Sequence, residues 1–157
     1  MKWVLFGSIA LLMVGLVFFI VLAVMSQTEP KNLGLSKGLL QACPDSPNCV
    51  CSETHSKQDA LHFIQPISAT DKTWKDLQEN ITKEGGIIQK RDENYVHATF
   101  RSPIFHYIDD VECRYDRTAK LIHIRSASRV GHSDLGMNQK RIETLRLRII
   151  SQEIKTK

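Results

Sequence analysis

The stretch from Arg125 to Arg146, R-S-A-S-R-V-G-H-S-D-L-G-M-N-Q-K-R-I-E-T-L-R, joins an apolar strand to a helix with an apolar stripe. Arginines, serines and two glycines fill the segment between the two elements. Such junctions often carry function, because the scaffold holds a loop whose backbone stays accessible. The junction therefore predicts the last strand–helix unit of the fold and the first place to look for a site.

Upstream of the junction, apolar and polar residues alternate with a period of two, which predicts strands at residues 87–91, 95–101, 110–115 and 120–126. Short turns join them into two hairpins, and a further short strand is expected at residues 62–67. A helix is predicted over residues 73–83, with Thr70 as its N-cap and with Trp74, Leu77 and Ile81 on one face.

The last helix is predicted over residues 134–152, capped by Ser133 or Asp134. Its buried stripe would consist of Leu135, Ile142, Leu145 and Ile149. Strands joined by short turns pair antiparallel, and two amphipathic helices would cover one face of the sheet. The predicted fold class is α+β: a single N-terminal transmembrane helix followed by a small two-layer domain with an antiparallel sheet covered by two helices.

The N-terminal segment is a candidate membrane span. Residues Trp3 to Met25 carry no charge, and a helix of that length, about 35 Å, crosses a hydrocarbon layer of about 30 Å. A signal peptide usually has a shorter apolar core and a better cleavage site, so an uncleaved anchor is favoured over a cleaved one. The division is then anchor 1–25, linker 26–42 and domain 43–157, with the domain expected on the non-cytoplasmic side.

Charge narrows the range of partners. The chain has 157 residues, with 21 Lys and Arg, 17 Asp and Glu and a formal net charge of +4. The charges are interspersed, whereas nucleic-acid binding would call for a strong basic stripe. We therefore expect no nucleic acid, and we expect the membrane as a partner through the single span. A lipid or anionic ligand fits the mildly basic balance, and a protein partner is left open.

Three motifs give the chain a resemblance to a known family. They are C-P-D-S-P-N-C-V from Cys43, D-D-V-E from Asp109, and the junction pattern R-S-A-S-R-V-G-x-S-D-L-G-x-N-x-x-R-I-E-x-L-R. In that order they resemble the family called domain of unknown function 1499, over Cys43 to about Ile150. The resemblance implies a small α+β module, often membrane-linked, and implies no reaction. Two departures from its usual pattern are both cysteines, Cys51 and Cys113.

The four cysteines allow three pairings. Cys49 and Cys51 point to the same side of an extended segment and bridge poorly, which favours Cys43–Cys49 with Cys51–Cys113. Free thiols and a four-thiolate zinc site are the alternatives. Zinc sites usually show two close pairs, and Cys113 stands alone, so we expect no metal and no cofactor.

Arginines at the junction suggest an anion site. Arg125 and Arg129, the small residues Ser126 and Ser128, and a helix start offer guanidinium and N–H donors to an oxyanion, and Arg101 in a neighbouring strand could join them. The structural alternative has these arginines paired with carboxylates such as Asp109, Asp110, Asp134 or Glu143.

Two function hypotheses follow. The first is a non-catalytic, membrane-anchored envelope module that binds a lipid, an anionic ligand or a protein. The second is a hydrolase acting through Asp109, Asp110 and His132, which no nucleophile elbow, phosphate loop or metal motif supports. The acidic group Asp109, Asp110 and Glu112 is more simply explained as a strand end neutralised by Arg114 or Arg117.

Overall fold

A computed structural model describes residues 2–155. Met1, at the start of the predicted anchor, and Thr156 and Lys157, at the end of the predicted domain, lie outside the described residues. The elements in chain order are α1 Lys2–Ser26, β1 Leu35–Ser36, β2 Leu39–Leu40, β3 Cys49–Cys51, a 3-10 turn Thr54–Ser56, β4 Ile67–Ser68, α2 Asp71–Lys83, β5 Ile87–Arg91, β6 Tyr95–Arg101, β7 Ile108–Asp116, β8 Leu121–Ser128 and α3 Met137–Lys155. The predicted α+β class is confirmed.

The main sheet has six strands. Its order is β3-β8-β7-β6-β5, all pairs are antiparallel, and β4 also pairs with β8. The two predicted hairpins are β5–β6 and β7–β8. The strand predicted at 62–67 is shorter and later, at Ile67–Ser68, because the N–H groups of His62 and Phe63 instead donate to the Asp59 carbonyl in a turn.

One face of the sheet packs against α2 and α3 and forms the apolar core. Trp74, Leu77 and Ile81 of α2 are buried as predicted, and the side chain of Thr70 caps the helix. From α3 the core receives Ile142, Leu145 and Ile149. Burying each such side chain stabilises the fold by about 1.5–3 kcal/mol before entropy is subtracted.

The start of α3 differs from the prediction. Leu135 and Gly136 have positive φ angles of 55° and 76°, so the helix begins at Met137 rather than at residue 134. Leu135 is therefore not part of the buried stripe; it is 92% exposed. Asp134 still serves the helix start, because its carboxylate accepts hydrogen bonds from the N–H groups of Gly136 and Asn138.

The other face of the sheet is covered by the chain that follows α1. We call residues 27–48 the strap. The backbone N–H of Gly34 donates to Glu112 and that of Leu40 donates to Glu53, and the Asn48 carbonyl accepts from the Ser128 N–H, so the strap is bonded to the sheet along its length. Leu40 is 1% exposed, whereas its neighbour Leu39 is 36% exposed. Leu40 of the predicted linker thus packs on the domain.

Of the two disulfides that the sequence favours, the structure contains one. Cys43 and Cys49 form a disulfide with Cα atoms 5.6 Å apart, as predicted, but Cys51 and Cys113 are free and buried. Cys51 lies opposite Arg125 and so shares the strap-side face, whereas Cys113 lies opposite Ile124 on the core face. Side chains on opposite faces of a sheet cannot bridge. The same separation prevents the four cysteines from converging on a zinc ion.

Candidate functional site: the polar face under the strap

The strap covers a face of the sheet made of ionisable side chains. Alternation along β6, β7 and β8 directs them away from the apolar core, and each is nearly inaccessible to solvent: His97 is 5% exposed, Asp110 2%, Glu112 0% and Arg125 2%. Buried charges are costly unless they are paired and hydrogen-bonded. The partners of these groups therefore decide which of them could take a ligand.

The first pair joins Arg125 to Glu112. One terminal nitrogen of the Arg125 guanidinium donates to Glu112 Oε2 at 3.0 Å. Glu112 Oε1 accepts from the Tyr95 hydroxyl and from the Gly34 N–H, each at 2.7 Å. Burial and the Glu112 charge raise the pKa of Tyr95 well above its usual range, so its phenol stays a donor. Glu112 is thus fully satisfied within the domain.

The second pair joins Arg129 to Asp110. The guanidinium donates to both Asp110 oxygens at 2.8 and 2.7 Å, and His97 Nε2 lies 2.8 Å from Oδ1. Burial opposes the charge on Asp110, but the hydrogen bonds from Arg129 and His97 outweigh it and hold the pKa of the Asp110 carboxyl below its usual range. The same contact raises the pKa of Arg129.

The third pair joins Arg114 to Glu53. Two guanidinium nitrogens reach the two Glu53 oxygens at 2.8 and 3.0 Å, and Leu40 N–H donates to the same carboxylate at 3.1 Å. Burial again opposes ionisation, and the hydrogen bonds from Arg114 and Leu40 lower the pKa of Glu53 despite it. The three pairs are electrically balanced, and each contacts the strap: Glu112 and Glu53 accept from its backbone N–H groups, and Arg129 donates to the Gln27 carbonyl.

A cavity of about 260 Å³ lies between the strap and this face, near the end of β8. Asp110, Arg125 and Arg129 border it from the sheet, and Asn32 and Asn48 from the strap. Arg125 Nε is buried and has no hydrogen-bond partner among residues 2–155. A buried donor left unpaired costs about 1–3 kcal/mol, more when it is charged. Arg125, which borders the cavity, thus has one guanidinium N–H without a partner among the described residues.

The residues of the predicted anion site divide between the two faces. Arg125 and Arg129 both border the cavity. Ser126 and Ser128 turn their hydroxyls to the helix side, where both bond the side chain of Asn138. Arg101 is exposed at the end of β6, opposite Ile108. Of the five predicted residues, the two junction arginines and Ser128 border the cavity, although the Ser128 hydroxyl bonds Asn138 on the helix side.

The structure does not bring together the predicted catalytic group of Asp109, Asp110 and His132. Asp109 accepts a hydrogen bond from Arg141 at 2.6 Å on the helix side, whereas Asp110 faces the strap. His132 is exposed in the segment between β8 and α3. The acidic strand is neutralised by arginines, as the structural interpretation expected, but the arginines are Arg125, Arg129 and Arg141 rather than Arg114 or Arg117.

Several members of this face were not predicted as site residues. Glu53 follows the C-V-C segment and looked like an ordinary loop acid, and no periodicity signals its ion pair. His97 and His123 share the face but are not neighbours, because β7 lies between their strands. Asn48 is held by Ser46 and by the Gly131 carbonyl, a contact 83 residues apart in sequence.

Comparison with known families agrees with the sequence motifs. Residues 39–149 match the family model described as "Protein of unknown function (DUF1499)". The match covers more than half of the chain, so the protein belongs to this family, as the resemblance had predicted. Searches of curated proteins and of solved structures return no match.

Proposed function

We propose that this member of the family is a non-catalytic, membrane-anchored module that binds a small anionic group in the cavity under the strap. The observation that carries the proposal is Arg125, which borders the cavity and whose buried Nε has no hydrogen-bond partner among residues 2–155. A guanidinium donor is best satisfied by a carboxylate or phosphate oxygen. Every other charge of the three pairs already has its partner within the domain.

The size of the cavity limits the ligand. Pockets for drug-sized molecules usually measure about 300–1,000 Å³, and this one measures about 260 Å³. It suits a phosphate or carboxylate with a few further atoms, such as a lipid headgroup or a soluble anion of that size. Asp110 also borders the cavity, but its two hydrogen bonds from Arg129 compensate its charge.

The membrane part of the proposal is supported by α1. The segment Phe6–Ser26 has a mean hydropathy of 2.9 and is long enough to cross a bilayer, a property that a signal sequence would share. We propose that it is retained and that the domain lies on the non-cytoplasmic side. The Cys43–Cys49 disulfide favours that side, because disulfides persist in oxidising compartments.

The test is a binding measurement on the full chain in nanodiscs of phosphatidylcholine. Glycerol 3-phosphate and acetate are titrated calorimetrically, with glycerol as the uncharged control. The proposal expects heat from at least one anion and none from glycerol. Discs containing phosphatidate, compared with pure phosphatidylcholine discs, show whether a lipid headgroup competes with the soluble anion for the site.

Two variants locate the site. Arg125→Lys can keep the pair with Glu112 but places no N–H at the position of the Arg125 Nε, so affinity should fall about 10-fold to 100-fold, the value of one charge-assisted hydrogen bond. Ala127→Leu fills the cavity wall and should also weaken binding. Arg114→Lys is the matched control, because the Nε of Arg114 is already bonded to Glu53. Absence of binding in the wild type, or equal affinity in Arg125→Lys, would refute the proposal.

A further inference from the structure

The end of the sheet next to α1 exposes apolar side chains. We call residues 102–107, which join β6 to β7, the wedge loop. Ile104 in this loop is 77% exposed, and Leu135, in the segment that follows β8, is 92% exposed. Because β6 ends and β7 begins where β8 ends, both residues lie at the same end of the sheet. Large apolar side chains clustered at one end often mark a contact surface.

The wedge loop is attached to the side of α1. The Phe105 ring stacks on Phe19 with centroids 5.2 Å apart, and Tyr107 stacks on Phe105 at 5.5 Å. The Tyr107 hydroxyl donates to the Phe19 carbonyl at 3.2 Å. The loop therefore contacts α1 within its apolar span rather than at the end of the helix.

The C-terminal end of α1 is fixed to the same end of the sheet. Gln27 donates from its side chain to the His106 carbonyl at 3.2 Å. A terminal nitrogen of Arg129 lies 3.4 Å from the carbonyl oxygens of Ser26 and Gln27. Ser26 itself is 0% exposed. The depth of the loop relative to the helix end is thus set by several contacts.

The geometry of α1 gives the depth of the wedge loop relative to the end of the helix. Phe19 precedes Ser26 by seven positions, and a rise of 1.5 Å per residue places it about 10 Å before the end of the helix. In a bilayer that α1 spans as far as Ser26, a side chain stacked on Phe19 lies deeper than the headgroups. Aromatic rings such as those of Phe105 and Tyr107 are favoured at this boundary.

We infer that the wedge loop inserts into the leaflet from which α1 emerges, with Ile104 among the acyl chains and Leu135 at the membrane surface. The inference rests on the membrane anchorage of the proposed function and is independent of its ligand cavity. The occupant is lipid rather than a second copy of the chain, because the surface is continuous with α1. Arg101, exposed at the end of β6, then lies where lipid phosphates are.

The experiment places an environment-sensitive fluorophore on single cysteines of the full chain in nanodiscs. Cys51 and Cys113 are buried and the other two cysteines are bonded, so an added surface thiol is the reactive one. Ile104→Cys is the test variant and Leu135→Cys the second. Ile154→Cys is the matched control, because Ile154 is also an exposed isoleucine, at 69%, and lies near the C-terminal end of α3, away from the wedge loop.

Lipids with a nitroxide on the acyl chain should quench the label at position 104 about threefold more than the label at 154, since insertion of apolar groups reaches about 5–10 Å into the boundary. The label at 135 should fall between them. Equal quenching at 104 and 154 overturns the inference. So does a blue-shifted label at 104 that lipid does not quench, which would indicate contact with a second protein copy.

Intact mass of the disc-bound chain tests the anchor separately. A chain that retains α1 and co-elutes with the discs, yet shows no lipid quenching at 104, removes the wedge loop proposal and leaves the anchor in place. Loss of α1 removes the anchor and the wedge together. Neither result bears on the anion titration, so the proposals can fail independently.

Discussion

Arg125 and Arg129 have the same side chain and face the same cavity, but their hydrogen bonds give them different tasks. Arg129 uses two nitrogens on Asp110 and a third near the carbonyls of Ser26 and Gln27. Within residues 2–155, Arg125 makes one hydrogen bond, to Glu112, and its Nε has no partner. We therefore propose that Arg129 maintains the architecture of the domain and that Arg125 binds the proposed anion.

Replacing Arg129 should expose this structural role. Arg129→Gln leaves the Asp110 carboxylate buried without its main partner, and breaking a buried pair in this way costs about 3–5 kcal/mol. Urea unfolding of the full chain in nanodiscs, followed by Trp74 fluorescence, measures the loss. Arg117→Gln is the control, since the Arg117 side chain is 42% exposed and its pairs lie at the surface.

The loss should depend on pH. In the wild type the lowered pKa of Asp110 gives stability that is present above the unfolded pKa and lost as pH falls through the folded value. Without Arg129, burial is expected to raise that pKa, so the variant regains stability when Asp110 takes up a proton. The difference between variant and wild type should shrink from pH 7 to pH 4. A constant difference would contradict the assignment.

At the scale of the elements, local pattern predicted most of the sheet and both domain helices. Period-two alternation located β5 to β8, and the stripe of Trp74, Leu77 and Ile81 located α2. These signals work because each element buries one regular face. The site was less predictable, because antiparallel sheets often leave their polar face to water, and nothing local indicates that this one is covered.

The strap covers the polar face of the sheet. The way in which the strap is bonded to the sheet explains why the sequence did not predict this. Its strands have two residues each, too short for any periodicity, and it binds the sheet through backbone N–H groups. Backbone donors carry no residue-type signature. The error over Cys51 and Cys113 has a related cause: which face Cys51 occupies depends on the register of β3 on β8, a long-range pairing.

Two neighbouring leucines allow the strap to be tested as an element. Leu40→Ala removes a side chain that is 1% exposed and should lower the free energy of unfolding by about 2–4 kcal/mol. Leu39→Ala, at 36% exposure, should cost less than about 1 kcal/mol. Amide hydrogen exchange at Gly34 should accelerate in the first variant. Equal effects of both substitutions would mean that the strap does not hold the polar face closed.

At the scale of the whole molecule, α1, the strap and the cavity follow one another along the chain. α1 ends at Ser26, the strap begins with the next residue, and Pro30 and Asn32 already border the cavity. Arg129 touches both the helix end and the cavity. The proposed anion site therefore lies close to the surface of the bilayer that α1 would span, within reach of a headgroup.

The side of the membrane decides which ligands the cavity could meet, and it can be tested directly. We predict a retained span with the domain outside the cytoplasm. A phosphatase that is active only in an oxidising compartment, fused after Lys157, should be active, and a reporter that needs the cytoplasm should be silent.

The Cys43–Cys49 bridge should resist alkylation in protein trapped with acid, because it forms and persists only under oxidising conditions. The reversed reporter pattern with all four cysteines alkylated, rather than Cys51 and Cys113 alone, would place the domain in the cytoplasm. A mature N-terminus near Val24 would identify α1 as a cleaved signal, and the carbonyls of Ser26 and Gln27 that Arg129 contacts would then lie among the first residues of the mature protein.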